Sequence, residues 1–129
     1  MNKYIVGLFI ISIFLHIIDD YGLQGILASM KQKKYWEENA PDNLYKYDYI
    51  WALIMHSFSW SFMIMLPLFF ISNFIFNFPL IVIFVWNIIC HAIIDNAKAN
   101  EHLINLWGDQ ILHICQLLIT YWWFFMYVY

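Results

Sequence analysis

Four long apolar stretches, near residues 3–20, 49–71, 78–95 and 108–129, constrain this chain more than any other feature. Each approaches the roughly 20 residues that a helix needs to cross a hydrocarbon core of about 30 Å. Lipid offers no partner for open backbone groups, and the period-two alternation of a membrane strand is missing, so each stretch should be helical. Composition agrees: 64% of the 129 residues are hydrophobic and 12% charged, more apolar than a soluble domain covers with polar surface. The expected fold is an all-α integral membrane protein, a four-transmembrane-helix antiparallel bundle forming a single domain over residues 1–129. Pro67 should kink the second helix, while Pro79 suits the first turn of the third.

The first stretch imitates a signal peptide, with Met-Asn-Lys and then an apolar run, yet no small-x-small cleavage signal follows Leu15. It reads as a retained helix. Lys31, Lys33, Lys34 and Lys46 lie between the first two stretches and Lys98 between the last two, with only Lys3 on the other side. The positive-inside rule then places those loops in the cytoplasm and both termini outside. Between the first two helices, Ile26, Leu27 and Met30 alongside Lys31, Lys33 and Lys34 predict an interfacial amphipathic segment facing anionic headgroups. A turn is expected over residues 39–43, and Tyr121, Trp122, Trp123, Tyr127 and Tyr129 would form an outer aromatic belt. A net charge of −3 with no basic patch excludes nucleic acid, and two cysteines cannot build a disulfide framework. The bilayer is the expected partner; a homo-oligomer is left open.

Ionisable side chains inside a membrane are expensive and usually face one another. Here they are grouped: His16 and Asp20, His56, His91 and Asp95, Asp109 and His113. Three of these groups are i,i+4 His/Asp pairs, whose members lie about 40° apart on one helical face and about 6 Å apart along the axis. In the predicted topology all seven residues fall within about 12 Å of one membrane face. A polar seam continues along the same faces: Ser12, Gln24, Ser59, Asn87, Gln116 and Thr120, with Gln110 beside Asp109. Imidazole nitrogens with carboxylate oxygens suit a divalent metal, one or two ions, with Zn favoured and Fe or Mn compatible. Taken singly, each pair is equally a local hydrogen bond; the convergence from four helices favours metal. Gln24, Asn87, Gln110 and Gln116 would support the ligands. Asp19 could replace Asp20 or mark the helix boundary, Lys98 could neutralise surplus charge or hold a phosphate, and His102, Cys90 and Cys115 fall off the seam.

The blocks His16-Ile-Ile-Asp-Asp20-Tyr-Gly-Leu-Gln24, followed by Ala28-Ser-Met-Lys31, then His91-Ala-Ile-Ile-Asp95-Asn-Ala-Lys98 and Asp109-Gln110-Ile-Leu-His113, resemble the motifs of a family of small integral membrane proteins from bacteria and phages whose function is unknown. The resemblance implies a set of matched positions, His16, Asp20, Gln24, Lys31, His56, His91, Asp95, Lys98, Asp109, Gln110 and His113, and a bacterial inner membrane as the location; it implies no established activity.

Four functional readings follow. The first is a metal-dependent hydrolase acting on a phosphoester or lipid-like substrate at the cytoplasmic leaflet, with Asp20, Asp95, Asp109 and Lys98 as candidate catalytic groups, and Lys98 or Lys31 meeting an anionic lipid headgroup. The second is divalent-metal transport or sensing, which usually places its ligands nearer the midplane. The third is haem ligation by two facing histidines. The fourth is a non-catalytic membrane interaction protein whose polar seam only fixes helix register.

Overall fold

The computed structural model describes residues 3–129. Helix α1 (Lys3–Ile18) runs into a π-helical turn over Asp19–Leu23. Two short helices follow, α2 (Leu27–Met30) and α3 (Lys33–Asn39), then a 3-10 turn over Asn43–Tyr45. The three remaining helices are long: α4 (Asp48–Ile71), α5 (Phe78–Ala99) and α6 (Leu106–Tyr127). Among the described residues there is no strand. Helix α4 packs between α1 and α5, α5 between α4 and α6, and α6 returns to α1.

Three segments are long and apolar enough to cross a membrane: Lys3–Leu23, Asn43–Ile71 and Phe78–Ala99. The fourth expected span is not among them. With 22 residues α6 has the length, but Gln110, His113, Gln116 and its Trp and Tyr residues lower its hydropathy. The distribution of side chains is compatible with a membrane location. Ser12, His16, His56, Asn87, His91, Asp95, Asp109, His113, Gln116 and Thr120 are buried, whereas Ile10, Phe14, Val85, Ile89, Ile93 and Leu118 are exposed. An apolar exterior around a polar interior inverts the usual soluble arrangement.

The apolar core, Trp60, Ile64, Met65, Leu68, Phe69, Leu80, Ile83, Leu117 and Phe124, adjoins the ionisable cluster through Trp60, which stacks on His91. Helix starts are set by local chemistry. Asn77 accepts a hydrogen bond from the Leu80 amide at 3.0 Å, with Pro79 in the first turn of α5 as expected, and Asn105 accepts one from the Gly108 amide at 2.9 Å to start α6. Pro67 lies buried within α4. Tyr121, expected in the outer belt, instead turns inward: its hydroxyl is 2.7 Å from Ser12 Oγ, which also donates to the Ile64 carbonyl at 2.7 Å. A buried phenol needs such a partner. Trp122, Tyr127 and Tyr129 remain exposed.

The segment between α1 and α4 forms two short helices, α2 and α3, and is fastened to the end of α5. Asn100 Oδ1 accepts the Lys33 amide at 2.7 Å, Asn100 Nδ2 donates to the Lys31 carbonyl at 3.0 Å, and Lys33 Nζ lies 3.0 Å from Glu101 Oε1. The bond to Glu101 raises the Lys33 pKa and, reciprocally, lowers that of Glu101. This clasp fixes where Lys31 can reach.

Candidate metal centre

The last turn of α1, the second turn of α4 onward, the last turns of α5 and the first turns of α6 meet at one level, and all seven expected ligands lie there. His56 Nε2 is the hub: it stands 3.2 Å from His91 Nε2, 3.4 Å from Asp20 Oδ1 and 3.4 Å from Asp95 Oδ2. His91 Nε2 is 3.7 Å from Asp95 Oδ2. His113 Nε2 is 3.5 Å from Asp95 Oδ1 and 3.4 Å from Asp109 Oδ1. Two subsets, Asp20 with His56 and His91, and His91 with Asp95 and His113, each offer donor atoms within 4.8 Å of one another. These buried His and Asp groups could hold a metal ion.

The separations carry information. Hydrogen bonds from an imidazole to a carboxylate fall near 2.7–2.9 Å, whereas donors at about 2.0–2.2 Å from a tetrahedral ion stand about 3.3–3.6 Å from each other. The distances from His56 to Asp20 and Asp95 and from His113 to Asp95 and Asp109, 3.4–3.5 Å, match the second spacing. Asp20 Oδ1, Asp109 Oδ1 and His113 Nε2 are buried with no hydrogen-bond partner among the described residues, an expensive state for polar atoms unless something else satisfies them.

Asp109 and Asp95 each carry a lysine on Oδ2. Asp109 Oδ2 takes Lys98 Nζ at 2.7 Å and Gln110 Nε2 at 3.0 Å, leaving Oδ1 toward His113. Asp95 Oδ2 takes Lys31 Nζ at 2.5 Å. Lys98 therefore neutralises carboxylate charge, and Lys31 reaches in from the clasped segment rather than outward.

His16 is tied on both sides. Its Nδ1 accepts the Trp60 indole N–H at 2.7 Å and stands 3.4 Å from Asp20 Oδ2, which in a neutral ring places the proton on Nε2, 3.1 Å from Gln110 Oε1. Both nitrogens are engaged, which makes His16 a strut between Trp60 and Gln110. Trp60 also stacks on the His91 ring, with centroids 4.1 Å apart and planes at 19°. Asp19 is drawn inward with Asp20 by the π-helical turn; it is 1% exposed, accepts Ser59 Oγ–H at 2.6 Å and lies 3.7 Å from His56 Nδ1. A carboxylate behind the second ring nitrogen of a ligating histidine favours presentation of the first.

Of the expected supporting residues, Gln110 touches the centre. Gln24 instead donates to the backbone carbonyl of Asp20. Asn87 and Gln116 form a separate network deeper in the chain, where Asn87 Oδ1 accepts Gln116 Nε2 and Thr120 Oγ1, each at 2.9 Å. His102 lies in the α5–α6 loop with φ 54°, and both cysteines are free and off the cluster.

Trp60 and Asn100 are the contributors that the sequence analysis missed, whereas Ser59 was already on the expected seam. Trp60 and Ser59 follow His56 at i+4 and i+3, spacing that shares its helical face; Asn100 carries no such signal. Comparison with protein-family models, with curated proteins and with solved structures yields no match to this chain, so what the site does must be inferred from its own chemistry.

Proposed function

We propose that this chain is a four-span inner-membrane protein that holds a divalent metal at the cytoplasmic leaflet and uses it to hydrolyse a phosphoester or lipid-like substrate. One observation carries the reading: Asp20, His56 and His91 each offer a donor atom within 4.8 Å of the others, and His56 Nε2 stands 3.2 Å from His91 Nε2 and 3.4 Å from Asp20 Oδ1, close to the spacing of ligands around one small ion. Mixed imidazole and carboxylate donors favour Zn, with Fe or Mn also accommodated. When bound, such an ion lowers the pKa of a water molecule and polarises a phosphoryl or acyl oxygen.

The protein's own groups supply the rest. Lys98, 37% exposed at the rim, is placed to meet an anionic headgroup, and the outer oxygen of a carboxylate can take the proton released from water. A haem is disfavoured, because two axial nitrogens on opposite sides of one iron stand about 4 Å apart with a macrocycle between them, whereas His56 and His91 are 3.2 Å apart. Transport is disfavoured because the donors gather at one end of the helices.

The test is hydrolysis by purified protein in phosphatidylglycerol liposomes, with that lipid and soluble phosphodiesters and esters as substrates, before and after stripping with a chelator. Release of product that stops on stripping, returns with Zn or Mn and is absent in His56→Ala supports the proposal. Stoichiometric metal without hydrolysis of any of these refutes the catalytic part.

A further inference from the structure

The ligand atoms fall into two sets, and one carboxylate belongs to both. Asp95 Oδ2, which also accepts from Lys31 Nζ at 2.5 Å, faces His56 Nε2 at 3.4 Å and His91 Nε2 at 3.7 Å, while Asp95 Oδ1 faces His113 Nε2 at 3.5 Å. On the second side Asp109 Oδ1 stands 3.4 Å from His113 Nε2. The two unshared atoms of this second set, His113 Nε2 and Asp109 Oδ1, are buried without a hydrogen-bond partner, in residues that are each 1% exposed.

We propose that His113, Asp109 and Asp95 hold a second divalent cation, with the Asp95 carboxylate bridging it to the first. The proposal rests on the metal reading above and extends it from one ion to two. A proton on His113 is the rival occupant. An imidazolium between two carboxylates would close to about 2.7–2.9 Å; the observed spacing is that of ligands around an ion at about 2.0–2.2 Å. The remaining oxygen of Asp109 is held by Lys98 at 2.7 Å and Gln110 at 3.0 Å, which orients Oδ1 toward His113. Trp60 and the His91 ring hold His113 from the side, with centroids 5.3 and 4.3 Å away. Two ions sharing a carboxylate clamp both the attacking and the leaving oxygen in a displacement, which suits a phosphoester more than a carboxylic ester.

The experiment loads the full-length protein, purified in detergent, with Zn or Mn and measures metal per chain after removal of excess ion. Wild type is expected to hold two equivalents, and Asp109→Asn and His113→Ala one each. In the Mn-loaded wild type, electron paramagnetic resonance is expected to show an exchange-coupled pair, and in Asp109→Asn the six-line signal of an isolated ion. Because asparagine matches aspartate in volume, Asp109→Asn keeps the test usable if His113→Ala misfolds. One equivalent in wild type, or a count unchanged by Asp109→Asn, overturns the second ion and leaves the first standing. No bound metal in wild type overturns both.

Discussion

Replacing Lys98 by methionine should move stability and metal affinity in opposite directions. Lys98 Nζ lies 2.7 Å from Asp109 Oδ2, and the lysine is 37% exposed while the aspartate is 1% exposed. Without the ammonium, a buried carboxylate keeps only Gln110, so the metal-free protein should lose about 1–2 kcal/mol. That is below the 3–5 kcal/mol of a fully buried broken pair because the lysine is partly solvated. The same ammonium repels any divalent ion beyond Asp109. At a separation of about 6 Å, two charges against one cost about 1.4 kcal/mol even at the dielectric constant of water, and more in a drier setting. Affinity for Zn should therefore rise at least about tenfold in Lys98→Met. Competition against a calibrated chelator reads the affinity, and thermal unfolding in detergent with excess chelator reads the stability. Unchanged or weaker affinity, with an intact fold, would refute the claim that Lys98 balances the charge of a cation site.

Trp60→Phe retains a ring over His91 but removes the indole N–H from His16 Nδ1; the orphaned nitrogen should cost about 1–3 kcal/mol on unfolding in detergent, and metal content should hold, since His16 is a strut. Loss of metal would instead make His16 or Trp60 part of ligation. Tyr121→Phe should destabilise by about 0.6 kcal/mol, up to about 1.7, typical of one hydrogen bond between membrane helices; no change would mean that the Ser12 contact is idle. For the exposed Lys33–Glu101 pair, the lowered Glu101 pKa makes its contribution present above the ordinary carboxylate value and lost as pH falls through the lowered one. The raised Lys33 pKa keeps that contribution present below the ordinary lysine value and lost as pH rises through the raised one. The Tm difference between wild type and Glu101→Gln should thus be flat between those limits and shrink toward acid; a difference growing toward acid contradicts the pairing.

Much of the site was legible because intramembrane charge is costly enough to leave a pattern. The i,i+4 spacing of His91 with Asp95 and of Asp109 with His113 placed both members on one face, and the alternating direction of the helices placed the pairs at one level. What escaped depended on tertiary partners. That His16 is tied by Trp60 and Gln110 could not be read from its own pair with Asp20, which looks the same as the other two. Asp19 was ambiguous because an ideal α-helix turns it away from Asp20; the π-helical turn over Asp19–Leu23, which admits both inward, has no clear sequence signature. Lys31 read as a headgroup-binding residue because nothing in the sequence reveals the Asn100 clasp. Tyr121 read as belt for the same reason that α6 falls short as an apolar span: aromatic residues serve both surface and core, and only the partner, here Ser12, decides between them.

The account stands on imidazole and carboxylate atoms from the π-helical turn after α1 and from α4 and α5 sharing one ion. X-ray absorption at the metal edge of Zn-loaded protein in detergent tests this most directly. The expected spectrum shows nitrogen and oxygen neighbours at about 2.0–2.1 Å, outer-sphere scattering from two imidazoles, and loss of part of that scattering in His56→Ala. A shell of oxygen alone, without imidazole scattering, or a spectrum that His56→Ala leaves unchanged, would contradict it.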